Sequence, residues 1–104
     1  MQWKARHPEM GVICIQCKAT GEIFADISRD LQRAFNSHRF QLSAALHSNR
    51  RLQELWNEYG EDGFEYIVED TLKYENPDED QTAKLTAMLD SFLLEHPQAA
   101  KLSR

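Results

Sequence analysis

The sequence predicts an α+β domain: a three-stranded antiparallel-type sheet flanked by helices, in the order ββ-α-α-β-α. Three observations carry this. Residues 11–27 hold two β-branched apolar runs around a glycine-containing turn. Three later stretches repeat apolar residues at helical spacing. Between the second and third of these, Phe64-Glu-Tyr-Ile-Val-Glu69 reverts to a strand pattern. At 104 residues, 41% of them hydrophobic, the chain can build one modest core. A single domain over 1–104 is expected, with its core at about 11–95.

The elements follow in chain order. Residues 1–10 are polar and unpatterned; Trp3 is the one large apolar side chain there with a body to dock on. Gly11-Val-Ile-Cys-Ile-Gln-Cys17 and Glu22-Ile-Phe-Ala-Asp-Ile27 form a hairpin, turned at Lys18-Ala-Thr-Gly21. With an even loop, Ile13, Ile15 and Cys17 share a face with Phe24 and Asp26, while Val12, Cys14, Ile23, Ala25 and Ile27 take the other. Both faces are apolar, so both should be covered. Ser28 is a natural N-cap and Asp30 suits the first turn of a helix near 29–46, striped by Leu31, Ala34, Phe35, His38, Leu42, Ala45 and Leu46. Ser48 or Asn49 caps a second helix at 50–59, with Leu52, Leu55, Trp56 and Tyr59 inward and Gly60 ending it. Residues 64–69 give the third strand. An acidic loop over 74–80 then leads to a helix near 79–95, capped by Asp78 or Asp80 and striped by Leu85, Met88, Leu89, Phe92 and Leu93.

Composition narrows the function. No apolar run reaches the ~18 residues of a membrane span and no signal-peptide pattern opens the chain, so a cytoplasmic protein without a membrane partner is expected. The net charge of −5 hides a split. Residues 1–51 carry eight Lys/Arg against four Asp/Glu, and residues 52–104 four against thirteen. Such asymmetry marks either a nucleic-acid face or a merely dipolar, soluble surface. Cys14 and Cys17 form a lone C-x-x-C, but in a strand i and i+3 point to opposite faces, so structural cysteines are expected.

The hairpin also carries a resemblance. Gly11-Val-Ile13 followed by Thr20-Gly-Glu-Ile-Phe-Ala-Asp-Ile-Ser28 is similar in layout to the GIY-YIG nuclease superfamily. The more specific match is His47-Ser-Asn-Arg-Arg-Leu-Gln-Glu-Leu-Trp-Asn-Glu-Tyr-Gly-Glu-Asp-Gly-Phe-Glu-Tyr66, which resembles the His-x-Asn-x-x-Leu-Gln…Trp-x-x-Tyr-Gly…Phe segment of phage and intron-encoded endonucleases. The resemblance implies a helix-flanked sheet and metal-assisted phosphodiester hydrolysis, which needs water activation, a cation for the developing charge and a carboxylate for the metal. It implies hairpin tyrosines, an arginine and a histidine on the first helix, and a glutamate on the last. Here only His38 matches. Ile13, Phe24, Ala34 and Leu89 stand at the other four positions, the last in an ungapped register; Arg33 and Asp90 are adjacent but turned about 100° away.

The expectation is therefore a nuclease-like protein with most catalytic residues replaced, nucleic-acid-associated and non-cleaving or very weakly cleaving. No cofactor is expected, and Mg²⁺ or Mn²⁺ would enter only with residual cleavage. Arg29, Arg33, Arg39, His47, Arg50 and Arg51 are the candidate nucleic-acid ligands, with a solvated basic face as the plainer reading. His38 is either a remnant of the site or a core histidine. Asp26 either supports the following helix or stands beside His38 as a new ligand. The alternative partner is another protein, docked on a scaffold that kept only its shape.

Overall fold

The computed structural model describes residues 9–72 and 80–102. The lead-in with Trp3, most of the acidic loop and the Asp78 cap lie outside the described residues. The elements are β1 (Met10–Cys17), β2 (Ile23–Ser28), α1 (Leu31–Ser43), α2 (Arg50–Tyr59), a 3-10 turn (Glu61–Gly63), β3 (Phe64–Leu72), α3 (Thr82–Glu95) and β4 (Ala100–Lys101).

The strongest apolar run, β1, lies inside the sheet, whose order is β3-β1-β2-β4. Its register with β2 pairs Ile13 with Asp26, Cys14 with Ala25 and Ile15 with Phe24, the pairing that an even loop requires. Gly21, at φ 79, supplies the left-handed position in that turn. β3 pairs antiparallel with the other edge of β1, with a bulge where Val12 faces Asp70 but Ile13 faces Val68. Gly11 sits beside that bulge, and a Cβ there would lie 1.9 Å from the Asp70 carbonyl oxygen, so only glycine fits.

Alternation then divides the core. Ile13, Ile15, Cys17 and Phe24 pack with Leu31, Leu42, Leu52, Leu55, Phe64 and Leu102 under α1 and α2. Val12, Cys14 and Ala25 pack with Leu89 and Phe92 under α3. The sheet is therefore covered on both faces, as its apolar composition demands.

Four details differ from expectation. The sheet has a fourth strand, β4, parallel to β2 through Phe24–Ala100 and Ala25–Lys101, so it is mixed rather than wholly antiparallel. Two residues offer no alternation for sequence to reveal. The first helix begins after Asp30, whose side chain accepts from the Arg33 N–H; Ser28 ends β2 and accepts from the Asp30 N–H instead. That helix stops at Ser43, and Ala45 at φ 61 turns the chain away, leaving Leu46 70% exposed. Tyr59 is 40% exposed rather than core, whereas Trp56 stacks on buried Phe64 at 5.6 Å.

Candidate functional site

α1 lies over the first core cluster and brings His38 above the β1–β2 hairpin. The positions that the resemblance marks for catalysis are hydrocarbon. Ile13 is fully buried, Phe24 is 3% exposed, and half-buried Ala34 packs against the same cluster. None offers a hydroxyl or a guanidinium. Leu89 is 5% exposed within the second cluster, so the sheet stands between it and α1. Arg33 and Asp90, the charged neighbours of Ala34 and Leu89, are exposed.

His38 is half-buried, and its Nδ1 lies 2.9 Å from Nε2 of His47, with ring centroids 5.1 Å apart. Burial holds His38 below the ordinary histidine range, against an opposing pull from the Asp26 carboxylate. Asp26 is half-buried opposite Ile13, and its Oδ1 accepts from the Ile27 N–H at 2.8 Å. Among the described residues no group of three or more His, Cys, Asp or Glu is placed to hold a metal ion.

His47 departs from the phosphate-binding place expected of it: it is 8% exposed and tied into the loop between α1 and α2. Burial, then the nearby His38, push it down to about 4. Its backbone N–H donates to Oε1 of Gln53, and its Nδ1 accepts from the Asn49 N–H. Asn49 caps α2 through Oδ1 to the Leu52 N–H, while its Nδ2 donates to the Lys101 and Leu102 carbonyls beside β4. Gln53 also donates to the Leu42 carbonyl at the end of α1. The matched segment His47-x-Asn49…Gln53 is thus a polar hub joining α1, α2 and the C-terminal strand. Sequence reasoning found the cap but missed Gln53 and the histidine pair; His47, Asn49 and Gln53 share one ungapped segment, which was the available signal, whereas His38 lies outside it.

Three of the arginines are paired with carboxylates of the same chain. Arg29 donates to Asp80 Oδ1 at 2.6 Å and to Thr82. Arg39 lies 3.5 Å from Glu61 and 4.7 Å above the Tyr66 ring. Arg51 grips Glu22 through two nitrogens, at 2.9 and 2.7 Å, and lies 3.6 Å from Glu54. Glu22 is held below the usual carboxylate range by that contact. Arg50 is exposed at the first position of α2. Arg29 and Arg33, however, line one cavity of about 500 Å³ with Ile27, Ser28, Asp30, Ala34 and Ser37. Where β2 passes into α1, its lining offers two guanidinium groups and two hydroxyls beside the Asp30 carboxylate.

The cysteines are structural. Cys14 and Cys17 are free, buried and on opposite faces of the sheet. Burial, aided by Glu69, pushes the Cys14 thiol up to about 12, which removes its thiolate at neutral pH.

No family model matches the chain, and no curated protein matches it. Solved structures do. The catalytic domain of homing endonuclease I-TevI superposes with a TM-score of 0.72 at 17% identity, over 91% of this chain and 99% of that one. A mutant form of the catalytic domain of intron endonuclease I-TevI gives 0.70 at 18% identity, over 84% and 82%. The architecture derived above, helices on both faces of a hairpin-centred sheet, is that of the GIY-YIG catalytic domain.

Proposed function

We propose that this chain is a nucleic-acid-associated protein that keeps the nuclease fold and cleaves its ligand very weakly or not at all. The observation that carries the reading is the hydrocarbon at Ile13, Phe24 and Ala34, on one face of the sheet within a fold shared with an endonuclease catalytic domain. Removing one transition-state donor costs about 10²–10³ in rate. Losses within one cooperative site do not add, but three together leave little chemistry.

Binding is assigned to the Arg29/Arg33 cavity. Each phosphate neutralised on duplex DNA contributes about −0.9 to the slope of log K against log salt. Arg29 already pairs with Asp80, so the double variant Arg29→Glu/Arg33→Glu should weaken low-salt binding to a labelled duplex and flatten that slope by about one. Unrelated sequences should suffer equally, because phosphate contacts carry little base information. Equal curves for variant and wild type would remove the cavity from the reading, and no binding by either would remove nucleic acid.

A second reading has its own support. Arg29, Arg39 and Arg51 are spent on the protein's own carboxylates, which lowers the charge offered to phosphate. On the α3 face, Glu69, Asp70 and Glu95 border a cavity of about 260 Å³ floored by Val12, Met88 and Phe92. A protein-interaction module built on the nuclease scaffold would use such a surface.

A further inference from the structure

The histidine pair admits only one arrangement of protons. A backbone N–H can only donate, so the Asn49 N–H leaves His47 Nδ1 as an acceptor without a proton of its own. His47 Nε2, 2.9 Å from His38 Nδ1, must then carry the ring proton, since a ring that accepted at both nitrogens would be an imidazolate. It follows that His38 Nδ1 accepts, and that the His38 proton sits on Nε2.

We infer that His47 is a positioning residue that holds His38 as a neutral imidazole presenting its Nε2–H as a hydrogen-bond donor, not a base. The inference deepens the proposed function and rests on it for the identity of the ligand: an acceptor oxygen of the nucleic-acid backbone. A base at Nε2 would need the lone pair that the proton occupies. Using Nε2 that way requires a shift of both protons and the loss of the Asn49 contact. That arrangement lets His38 donate to a ligand oxygen at Nε2 but not take a proton there.

The supports come from several elements. Gln53 fixes the His47 backbone and Asn49 fixes its ring, while Asn49 is itself anchored to the C-terminal segment. Asp26, on β2, is the charged group whose field reaches His38; it favours the imidazolium, and burial opposes it. The donation from His47 adds to burial, because it stabilises the unprotonated Nδ1.

Nitrogen-15 spectroscopy of the histidine rings reads this without any ligand. Both His38 and His47 should show couplings of the Nε2–H tautomer at neutral pH. In His47→Phe, which removes the donor, His38 should populate both tautomers and its titration midpoint should rise by about one pH unit. His47→Gln, which keeps an amide donor, should restore the wild-type midpoint. A purely structural His47 would leave that midpoint where it was in all three proteins, and this result would overturn the inference. So would an Nδ1–H tautomer at His38 in the wild type, which remains decisive should His47→Phe fail to fold. The spectra are independent of nucleic acid, so a protein that shows the expected tautomers yet binds no duplex refutes the proposed function alone.

Discussion

Single residues here act by what they withhold as much as by what they contribute. His47 is the sharpest case, because burial keeps it neutral and the unfolded chain does not. An unfolded histidine protonates near pH 6.5, whereas the folded one resists to about 4. Between those values the unfolded state binds more protons, so stability is full above about 6.5 and falls as pH drops toward 4. His38, also lowered, adds in the same direction. The His47 contribution is about 3 kcal/mol across that window. Thermal unfolding followed from pH 7.5 to 4.5 should show the decline, and His47→Gln should flatten most of it. An unchanged decline in that variant would place the acid sensitivity elsewhere. Little of this was legible in the sequence. His38 was visible as one polar residue on an apolar stripe and His47 as one basic residue among arginines. Their meeting depends on how the loop after α1 turns, and that turn is made by Ala45 in a left-handed conformation that no local signal announces.

Among the elements, those with long periodic patterns were readable and those defined by tertiary partners were not. The hairpin register followed from alternation alone, and α2 was bounded on both sides by a cap and a glycine. The first helix was placed too long because Ala45 and Leu46 continue its stripe, although Leu46 finds no core to meet. The two residues of β4 carry no pattern; it exists because Asn49 binds the Lys101 and Leu102 carbonyls and the Leu102 N–H reaches the Ala25 carbonyl at 2.8 Å. Asn49 therefore serves two elements at once. Asn49→Ala should cost about 2 kcal/mol in urea unfolding, beyond a typical cap of about 1, since two carbonyl contacts go with it. Hydrogen exchange at the Leu102 amide should quicken more than exchange in β1. A loss confined to α2, with the Leu102 amide as protected as before, would show that β4 does not depend on this side chain.

Across the whole molecule, the fold is shared with an endonuclease catalytic domain, and the proposed absence of cleavage rests on what side chains occupy its central face. Of the arginines in the positive half of the sequence, Arg29, Arg39 and Arg51 face carboxylates of the same chain. Sequence counts charges but not their partners, so Glu22, Glu61 and Asp80 had to be placed before the basic face could be judged. The hydrocarbon at Ile13, Phe24 and Ala34 was legible because the resemblance marked those positions; in the fold Ile13 and Phe24 belong to the first core cluster and Ala34 packs against it. Leu89 completes the second. A side chain that is 0–5% exposed in a core cannot be exchanged for a tyrosine or a glutamate without cost. The most direct measurement is incubation of the purified protein with supercoiled plasmid and with branched DNA, in Mg²⁺ and in Mn²⁺. Products no greater than those of a mock preparation are predicted in every case, whereas metal-dependent cleavage that disappears in His38→Ala would contradict the account.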